Sequence, residues 1–194
     1  MIVLIMISAT PILVAICGDK LLDKTRALLG RAIIDSFTHG LIGCLCWLVI
    51  LFRAQYSRNY ILNAIFEVVL SGFLASVIDL DHFIAARSFK LKDAVSLGVR
   101  RPPLHATSVL ICVVILFLTI GKVIKKNAMI RLSFLILVAV GSHHIRDAVR
   151  RGLWFPPLGS TPPLPHAVYL AFIGLLPHII FPFIPFHSAY LSLC

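Results

Sequence analysis

Carboxylates and imidazoles recur in this sequence at short spacings, beside strongly apolar runs. Asp35 and His39 are four residues apart, so they share one face of a helix. Asp79 and Asp81 are two residues apart, and His82 follows directly. Oxygen and imidazole donors of this kind hold Zn, Mn or Fe in proteins. These two groups are therefore candidate parts of a metal site.

Two further groups carry the same residue types. His105 follows an Arg-Arg-Pro-Pro-Leu segment that begins at Arg100. In the run His143-His144-Ile-Arg-Asp147, either histidine shares a helix face with Asp147, at a spacing of four or three. The candidate metal ligands are His39, Asp79, Asp81, His82, His105, His143, His144 and Asp147.

Each group also has a purely structural interpretation. Asp35 and His39, taken alone, are typical of a hydrogen-bonded pair at a helix end, and His105 alone is typical of an interfacial histidine. Two acids and a histidine within four residues, next to a membrane span, are energetically costly and favour a functional role. The run that begins at His143 is the most specific of the four.

The composition decides the class of protein that positions these residues. The chain has 194 residues, of which 59% are hydrophobic and 13% charged. Ordinary soluble domains are about 45–50% apolar and about 25% charged. A soluble globular domain, a disordered chain and a nucleic-acid-binding module are excluded on this ground. We predict an all-α polytopic membrane protein, with residues 1–194 forming a single integral membrane domain.

Apolar runs give the expected membrane spans. A spanning helix needs about 20 apolar residues, so the chain has room for a helical bundle of about six transmembrane helices. The first run has no basic residue before it, so we expect a retained helix rather than a cleaved signal peptide. The six runs cover approximately Met1–Cys17, Ala32–Phe52, Tyr60–Ile78, Leu104–Ile124, Ala128–Val140 and Ala167–Phe186.

Lysine and arginine counts in the gaps between these runs predict the orientation. The first, third and fifth gaps hold twelve of these residues, and the second and fourth hold six. The positive-inside bias then puts the odd-numbered gaps in the cytosol. Starts of even-numbered helices and ends of odd-numbered helices lie on that same side. All four candidate groups are therefore expected to meet at the cytosolic face of the membrane.

A metal site at a membrane face suggests hydrolysis of a lipid-linked ester. A bound metal polarises a phosphoryl or acyl oxygen and activates a water. Asp147 and Asp81 are the candidate catalytic residues, with Asp147 orienting a histidine or acting as a general base. One guanidinium group can donate two parallel hydrogen bonds to a phosphate. The candidates for binding a substrate phosphate are therefore Arg100, Arg101, Arg146 and Arg150.

A different class of function stays open. In that alternative the protein is a non-catalytic membrane scaffold, and the polar cluster ties helix ends together. The expected partners are membrane lipids and, for the enzyme, a lipid-phosphate substrate. No nucleic acid is expected as a partner. The expected cofactor of the enzyme is a divalent Zn, Mn or Fe ion.

The same runs carry a resemblance to a known family. The combination of the runs at Asp35, Asp79, Arg100 and His143 with a Gly-Leu-Trp run ending at Trp154 resembles the animal multi-pass membrane proteins called transmembrane protein 267. More distantly, the pattern is similar to bacterial inner-membrane metal-dependent hydrolases described as LexA-binding.

The bacterial resemblance implies a set of metal ligands and one departure from it. By that resemblance, the metal centre takes His39, Asp79, Asp81, His105 and His143 or His144 with Asp147. Arg100 stands where the bacterial family has a first histidine, so one expected ligand is missing. Three explanations stay open: His82 substitutes, one ion has been lost, or the scaffold is kept without turnover.

Overall fold

Most of the computed structural model is helical, and it describes residues 2–55, 58–98 and 100–186. The α-helices in these ranges are α1 (Ile2–Lys24), α2 (Leu28–Arg53), α3 (Ile61–Val77), α4 (Asp81–Ala86), α5 (Leu91–Val95), α6 (Thr107–Val123), α7 (Asn127–Arg151) and α8 (His166–Ile180). A short antiparallel hairpin, β1 (Trp154–Phe155) and β2 (Gly159–Ser160), joins α7 to α8. Turns of 3₁₀ helix lie at Arg58–Tyr60, Ile78–Leu80, Pro103–His105 and Phe181–Phe183.

Six of these helices are long and apolar. Five are long enough to cross a membrane when the helical turns that continue α3 and α8 are counted with them. Their candidate spans are Ile2–Lys24, Leu28–Arg53, Ile61–Ala86, Asn127–Arg151 and His166–Phe183. The sixth, α6, is apolar but has 17 residues. The predicted all-α polytopic membrane protein is confirmed.

Helices α1 and α7 extend well past the C-terminal ends of their apolar runs. The fifth run ends near Val140, whereas α7 continues to Arg151. The first run ends near Cys17, whereas α1 continues to Lys24. Ser142, His143 and Arg146 are buried within α7, so they face neighbouring helices instead of lipid. Hydropathy therefore ends the span too early, because it cannot distinguish a polar residue inside the bundle from one in solvent.

Helix α2 lies at the centre of the bundle. It packs against α1, α3, α7 and α8, while α6 packs against α7. Ile42, Trp47 and Ile50 of α2 are fully buried, together with Tyr169 and Ile173 of α8. This apolar core fixes the spacing of the helices whose polar ends form the candidate site.

Small residues let α2 and α3 approach closely. A Cβ atom on Gly43 would lie 2.7 Å from the Ala75 Cβ, and one on Gly72 would lie 2.8 Å from the Gly40 carbonyl oxygen. The Ser71 hydroxyl donates to the Gly43 carbonyl oxygen at 2.9 Å. Small residues and hydroxyl bonds of this kind are common in packed membrane helices. The close contact brings the polar ends of α2 and α3 together.

Candidate metal centre

The structure brings the four sequence groups together at one end of the bundle. His39 comes from α2, and Asp79 from the 3₁₀ turn that follows α3. His105 ends the 3₁₀ turn before α6, while His143 and Asp147 lie on the last turns of α7. Four segments that are distant in the sequence thus meet in one place.

Four of these side chains form a compact set of donors, which we call the four-donor cluster: Asp79, His105, His143 and Asp147. His105 Nε2 lies 3.3 Å from Asp147 Oδ2 and 3.7 Å from Asp79 Oδ1. His143 Nε2 lies 3.4 Å and 3.6 Å from the same two oxygens. The two Nε2 atoms are 3.0 Å apart.

These separations fit a metal site. Four ligand atoms held 2.0–2.2 Å from a tetrahedral Zn are about 3.3–3.6 Å from one another. The five separations given above run from 3.0 to 3.7 Å. Two imidazoles and two carboxylates suit Zn, Mn or Fe and lack the thiolate that marks a soft site. The chain therefore contains a group of His and Asp side chains able to hold a metal ion.

The tautomer of His143 supports the same conclusion. Its Nδ1 lies 2.8 Å from the Ala75 carbonyl oxygen. Because a carbonyl oxygen only accepts, Nδ1 must donate, and a neutral ring then directs the Nε2 lone pair into the four-donor cluster. A backbone bond of this kind on the far ring nitrogen is normal for a metal-binding histidine.

Asp81 lies behind His105 rather than beside the other donors. His105 Nδ1 is 3.2 Å from Asp81 Oδ1 and 3.3 Å from Oδ2. Asp81 Oδ2 also accepts the Leu104 backbone N–H at 2.7 Å. The ring nitrogen that faces Asp81 is not the one that faces the four-donor cluster. This geometry places Asp81 where it can orient His105, although Asp81, His82 and His105 also form a second, smaller group of donor atoms.

The negative charge of the carboxylates around His105 raises the pKa of its imidazole. Burial lowers the pKa of this imidazole, but hydrogen bonds to Asp147, Asp79 and Asp81 outweigh burial and raise the pKa to about 11. Three carboxylates around one ring strongly favour positive charge at this place. A proton or a metal ion meets that requirement.

His39 is buried and has unsatisfied ring nitrogens. Its side chain is 1% exposed, and its ring stacks on His143 at a centroid distance of 3.8 Å. His39 Nε2 lies 3.4 Å from Asp147 Oδ1, but the contact lacks hydrogen-bond geometry. Both ring nitrogens and this oxygen have no hydrogen-bond partner among the described residues. Buried polar atoms without partners are costly, so the site favours a further ligand or ion.

The other two candidate histidines lie beside the four-donor cluster. His144 Nε2 is 3.0 Å from the Leu104 carbonyl oxygen, and its Nδ1 is 3.4 Å from the Thr107 hydroxyl. Both of its nitrogens are therefore engaged elsewhere. His82 is 30% exposed, and its Nδ1 lies 3.4 Å from Asp81 Oδ1. It sits at the mouth of the site.

Arg146 is the centre of a separate ion-pair network. Its guanidinium donates to Asp19 at 2.9 Å and to Asp35 at 2.7 Å, and its side chain is 3% exposed. The Tyr169 hydroxyl donates to Asp19 as well. The sequence suggested a phosphate-binding role for Arg146, but did not reveal this network. Its partners are 111 and 127 residues away, so no local spacing could have indicated them.

The other candidate arginines differ in their partners and in whether they line a cavity. Arg150 pairs with Asp35 and lies 3.7 Å from Asp147 Oδ1. Arg101 donates to the Arg151 carbonyl oxygen at 2.9 Å. Arg101, Arg150 and Arg151 line a cavity of about 250 Å³ that also contains His105 and Asp147. Arg100 is exposed and is not among the lining residues.

Comparison with known proteins identifies the family. The chain is 43% identical over 150 residues to transmembrane protein 267 of Mus musculus, a match covering 77% of this chain and 66% of the relative. This chain belongs to the transmembrane protein 267 family. The same protein of Danio rerio is 39% identical over 150 residues, and that of Bos taurus is 40% identical over 151 residues. Each match covers 77% of this chain.

Membership in the transmembrane protein 267 family agrees with the fold. The relatives' name and the five apolar helices together identify an integral, multi-pass membrane protein. The matches span 65–66% of the relatives' own length, just under two thirds. No family model matches the chain, and no solved structure matches it. The more distant resemblance to the bacterial hydrolases is therefore unsupported.

Proposed function

We propose that the four-donor cluster binds one divalent ion, Zn, Mn or Fe, and that the protein hydrolyses a lipid-linked phosphoester or ester at this membrane face. The observation that carries the proposal is the approach of four His and Asp donor atoms to within 4.8 Å of one another. The unpartnered nitrogens of the buried His39, beside the cluster, add to it, because buried polar atoms without partners indicate a place for a further ligand.

Each residue has a defined part in this reaction. A bound divalent ion supplies Lewis-acid chemistry, which polarises the ester and activates a water. Asp79, His105, His143 and the Oδ2 atom of Asp147 would hold the ion, and Asp147 Oδ1, which faces His39, would receive a proton from the attacking water. His39 Nε2, 3.4 Å from Asp147 Oδ1, is placed to take up that proton. The water oxygen bonds to phosphorus or the acyl carbon, the ester bond breaks, and the proton returns to the leaving lipid oxygen.

Arginine placement supports an anionic substrate. Arg101 and Arg150 line the cavity that holds His105 and Asp147, so their guanidinium groups can contact a phosphate there. Arg146 is buried and does not line this cavity, which leaves it out of substrate binding, whereas Arg150 is 52% exposed. We propose the cytosolic side for this face, because Lys and Arg are twice as numerous in the gaps on this side. Membrane lipids are the expected partners.

Metal analysis tests the proposal directly. We expect detergent-purified wild type to retain roughly one ion per chain after dialysis, as measured by elemental mass spectrometry. The His143→Ala variant should lose that ion, because it removes one of the donor atoms. His178→Ala is a matched control, since His178 contacts Arg53 and Ser8 instead of the cluster. Folded wild type without metal would overturn the proposal.

Activity is the second test. Wild type and His143→Ala are incubated with phosphatidic acid and with a polyprenyl phosphate in mixed micelles, with Zn, Mn or Fe added in turn. We expect metal-dependent release of phosphate or fatty acid by wild type, and none by the variant. A metal-loaded wild type that hydrolyses neither lipid contradicts the substrate part of the proposal.

The Arg146 network favours a second candidate, the non-catalytic scaffold. This network joins α1 through Asp19, α2 through Asp35 and α8 through Tyr169 to α7. Ties of this kind stabilise a bundle without any metal. A scaffold predicts that a chelator leaves the melting temperature unchanged, whereas metal binding predicts a decrease.

A further inference from the structure

Two cavities meet at the four-donor cluster, and their walls differ in chemistry. The first is the cavity of about 250 Å³ that contains Arg101, Arg150 and Arg151, which we call the polar cavity. The second is a groove of about 540 Å³ between α2 and the segment from Asp79 to Val95, which we call the apolar groove. Its outer rim includes Ile33, Phe37 and Leu80.

The two cavities share part of their walls. His82, Ala94 and Val95 line both of them. Asp79 lines the apolar groove, and its Oδ1 faces His105 and His143 of the cluster. Asp147 of the cluster lines the polar cavity. The cluster therefore lies between the polar cavity and the apolar groove.

The rim of the groove is suited to hydrocarbon. Ile33, Phe37 and Leu80 are 58%, 67% and 57% exposed, and all three lie within candidate membrane spans. Exposed apolar surface within a membrane span contacts lipid chains rather than water. We therefore expect the rim of the groove to face lipid.

The inner part of the groove is polar, whereas an ordinary lipid-facing surface is apolar throughout. Asp79 and His82 line it, with the hydroxyl-bearing Ser36 and Ser76 nearby in its wall. The Ser76 hydroxyl donates to the Ser36 carbonyl oxygen at 2.8 Å, which holds α2 and α3 together there. Ionisable groups facing lipid are costly and mark functional sites in membrane proteins. Their place at the end of an apolar groove indicates a ligand with one apolar and one polar part.

We propose that the apolar groove binds one hydrocarbon chain of a phosphorylated lipid, whose phosphate lies in the polar cavity beside Arg101 and Arg150. This inference rests on the proposed function, because it names the substrate class of the same site. The chain holds the lipid by burial of apolar area. The arginines supply charge-assisted bonds to the phosphate. The scissile ester is then held beside Asp79 and Asp147.

Photolabelling tests where the chain lies. The probe is a phosphatidic acid with a diazirine at the middle of one acyl chain, added to purified wild type in mixed micelles. Mass spectrometry of the labelled peptides should find the label concentrated on α2 near Ile33 and Phe37 and on the segment from Leu80 to Val95. Unlabelled phosphatidic acid should compete, whereas diacylglycerol and glycerol phosphate should compete much less.

Two tryptophan variants give the matched comparison. Ala32 lines the groove, so Ala32→Trp should lower the specific labelling by about tenfold, the effect of a steric cost of about 1.4 kcal/mol. Ala171 is exposed on α8 and lines neither cavity, so Ala171→Trp should label as wild type does. The wild-type label map is informative even if Ala32→Trp does not fold.

The outcomes separate this inference from the proposed function. The proposed binding of the chain in the apolar groove and the phosphate in the polar cavity is overturned by either of two results. One is a label spread evenly over all helices, and the other is equal competition by diacylglycerol. Neither result depends on the metal content, which can remain intact. Specific labelling of the groove by a wild type that contains no metal supports the lipid site and overturns the hydrolase. Labelling that persists in metal-free His143→Ala supports a groove that binds lipid independently of the ion.

Discussion

Replacing Asp81 by asparagine distinguishes an orienting residue from a direct metal ligand. Asp81 contacts His105 Nδ1 at 3.2 Å and the Leu104 N–H at 2.7 Å, whereas His105 Nε2 faces the other donors. Asparagine keeps the size of the side chain but removes its charge. We therefore expect Asp81→Asn to weaken metal binding without abolishing it.

The expected size follows from this geometry. Loss of the partner that orients a metal-binding histidine costs about 10–100-fold in affinity. This factor corresponds to about 1.4–2.7 kcal/mol. With ion in large excess, the stabilisation of the folded protein by the ion decreases by the same amount. At about 2–4 °C per kcal/mol for a chain of this length, the metal-induced rise in melting temperature should shrink by about 3–11 °C.

The assay is a competition titration in detergent. Wild type, Asp81→Asn and His143→Ala are titrated with Zn against a chelator of known affinity, and each is melted with and without Zn. Asp93→Asn is the matched control, because Asp93 is an exposed carboxylate that accepts a hydrogen bond from the Ser88 hydroxyl. It should behave as wild type in both measurements.

Two results would refute this reasoning. Complete loss of Zn from Asp81→Asn, equal to the loss in His143→Ala, would make Asp81 a ligand. An affinity within about twofold of wild type, below the 10–100-fold range for orienting partners, would mean that Asp81 does not orient His105 for binding.

Three further outcomes concern stability and metal. Arg146→Met should destabilise the bundle by about 1.5–3 kcal/mol, because it removes the buried guanidinium that bonds to the half-buried carboxylates of Asp19 and Asp35. A chelator should not change this loss in denaturant unfolding. Arg150→Gln should lower the free energy of unfolding by only about 0–1 kcal/mol in the same measurement, because Arg150 is 52% exposed. A loss as large as that of Arg146→Met contradicts the roles assigned to the two arginines. Gly43→Leu should cost about 1–3 kcal/mol through the clash with Ala75, whereas an unchanged midpoint contradicts the close packing of α2 and α3.

Helix content and the grouping of polar residues could be predicted from the sequence because both depend on local patterns. The length of an apolar run predicts a span, and the order of the spans assigns each helix end to one side of the membrane. On this basis His39, Asp79, His105, His143 and Asp147 were expected at the same face, and the structure brings them together.

The roles within that group could not be predicted in the same way. His143 and His144 are adjacent in the sequence and equally suited to bind a metal. Only the packed structure turns His143 Nε2 into the four-donor cluster and engages both nitrogens of His144 with Leu104 and Thr107. A helix rotates by about 100° per residue, so neighbouring side chains face different partners.

The sequence alone thus determined the class of protein, its apolar helices and the grouping of its acidic and histidine side chains at one end of the bundle, because composition and short-range periodicity are local properties. Only the tertiary structure decided that Asp81 supports His105, that Arg146 joins Asp19 to Asp35, and that a polar cavity and an apolar groove meet at the cluster. These roles depend on distances of a few ångströms between residues far apart in the chain. Such distances are set by how the helices pack, and no spacing along the sequence records them.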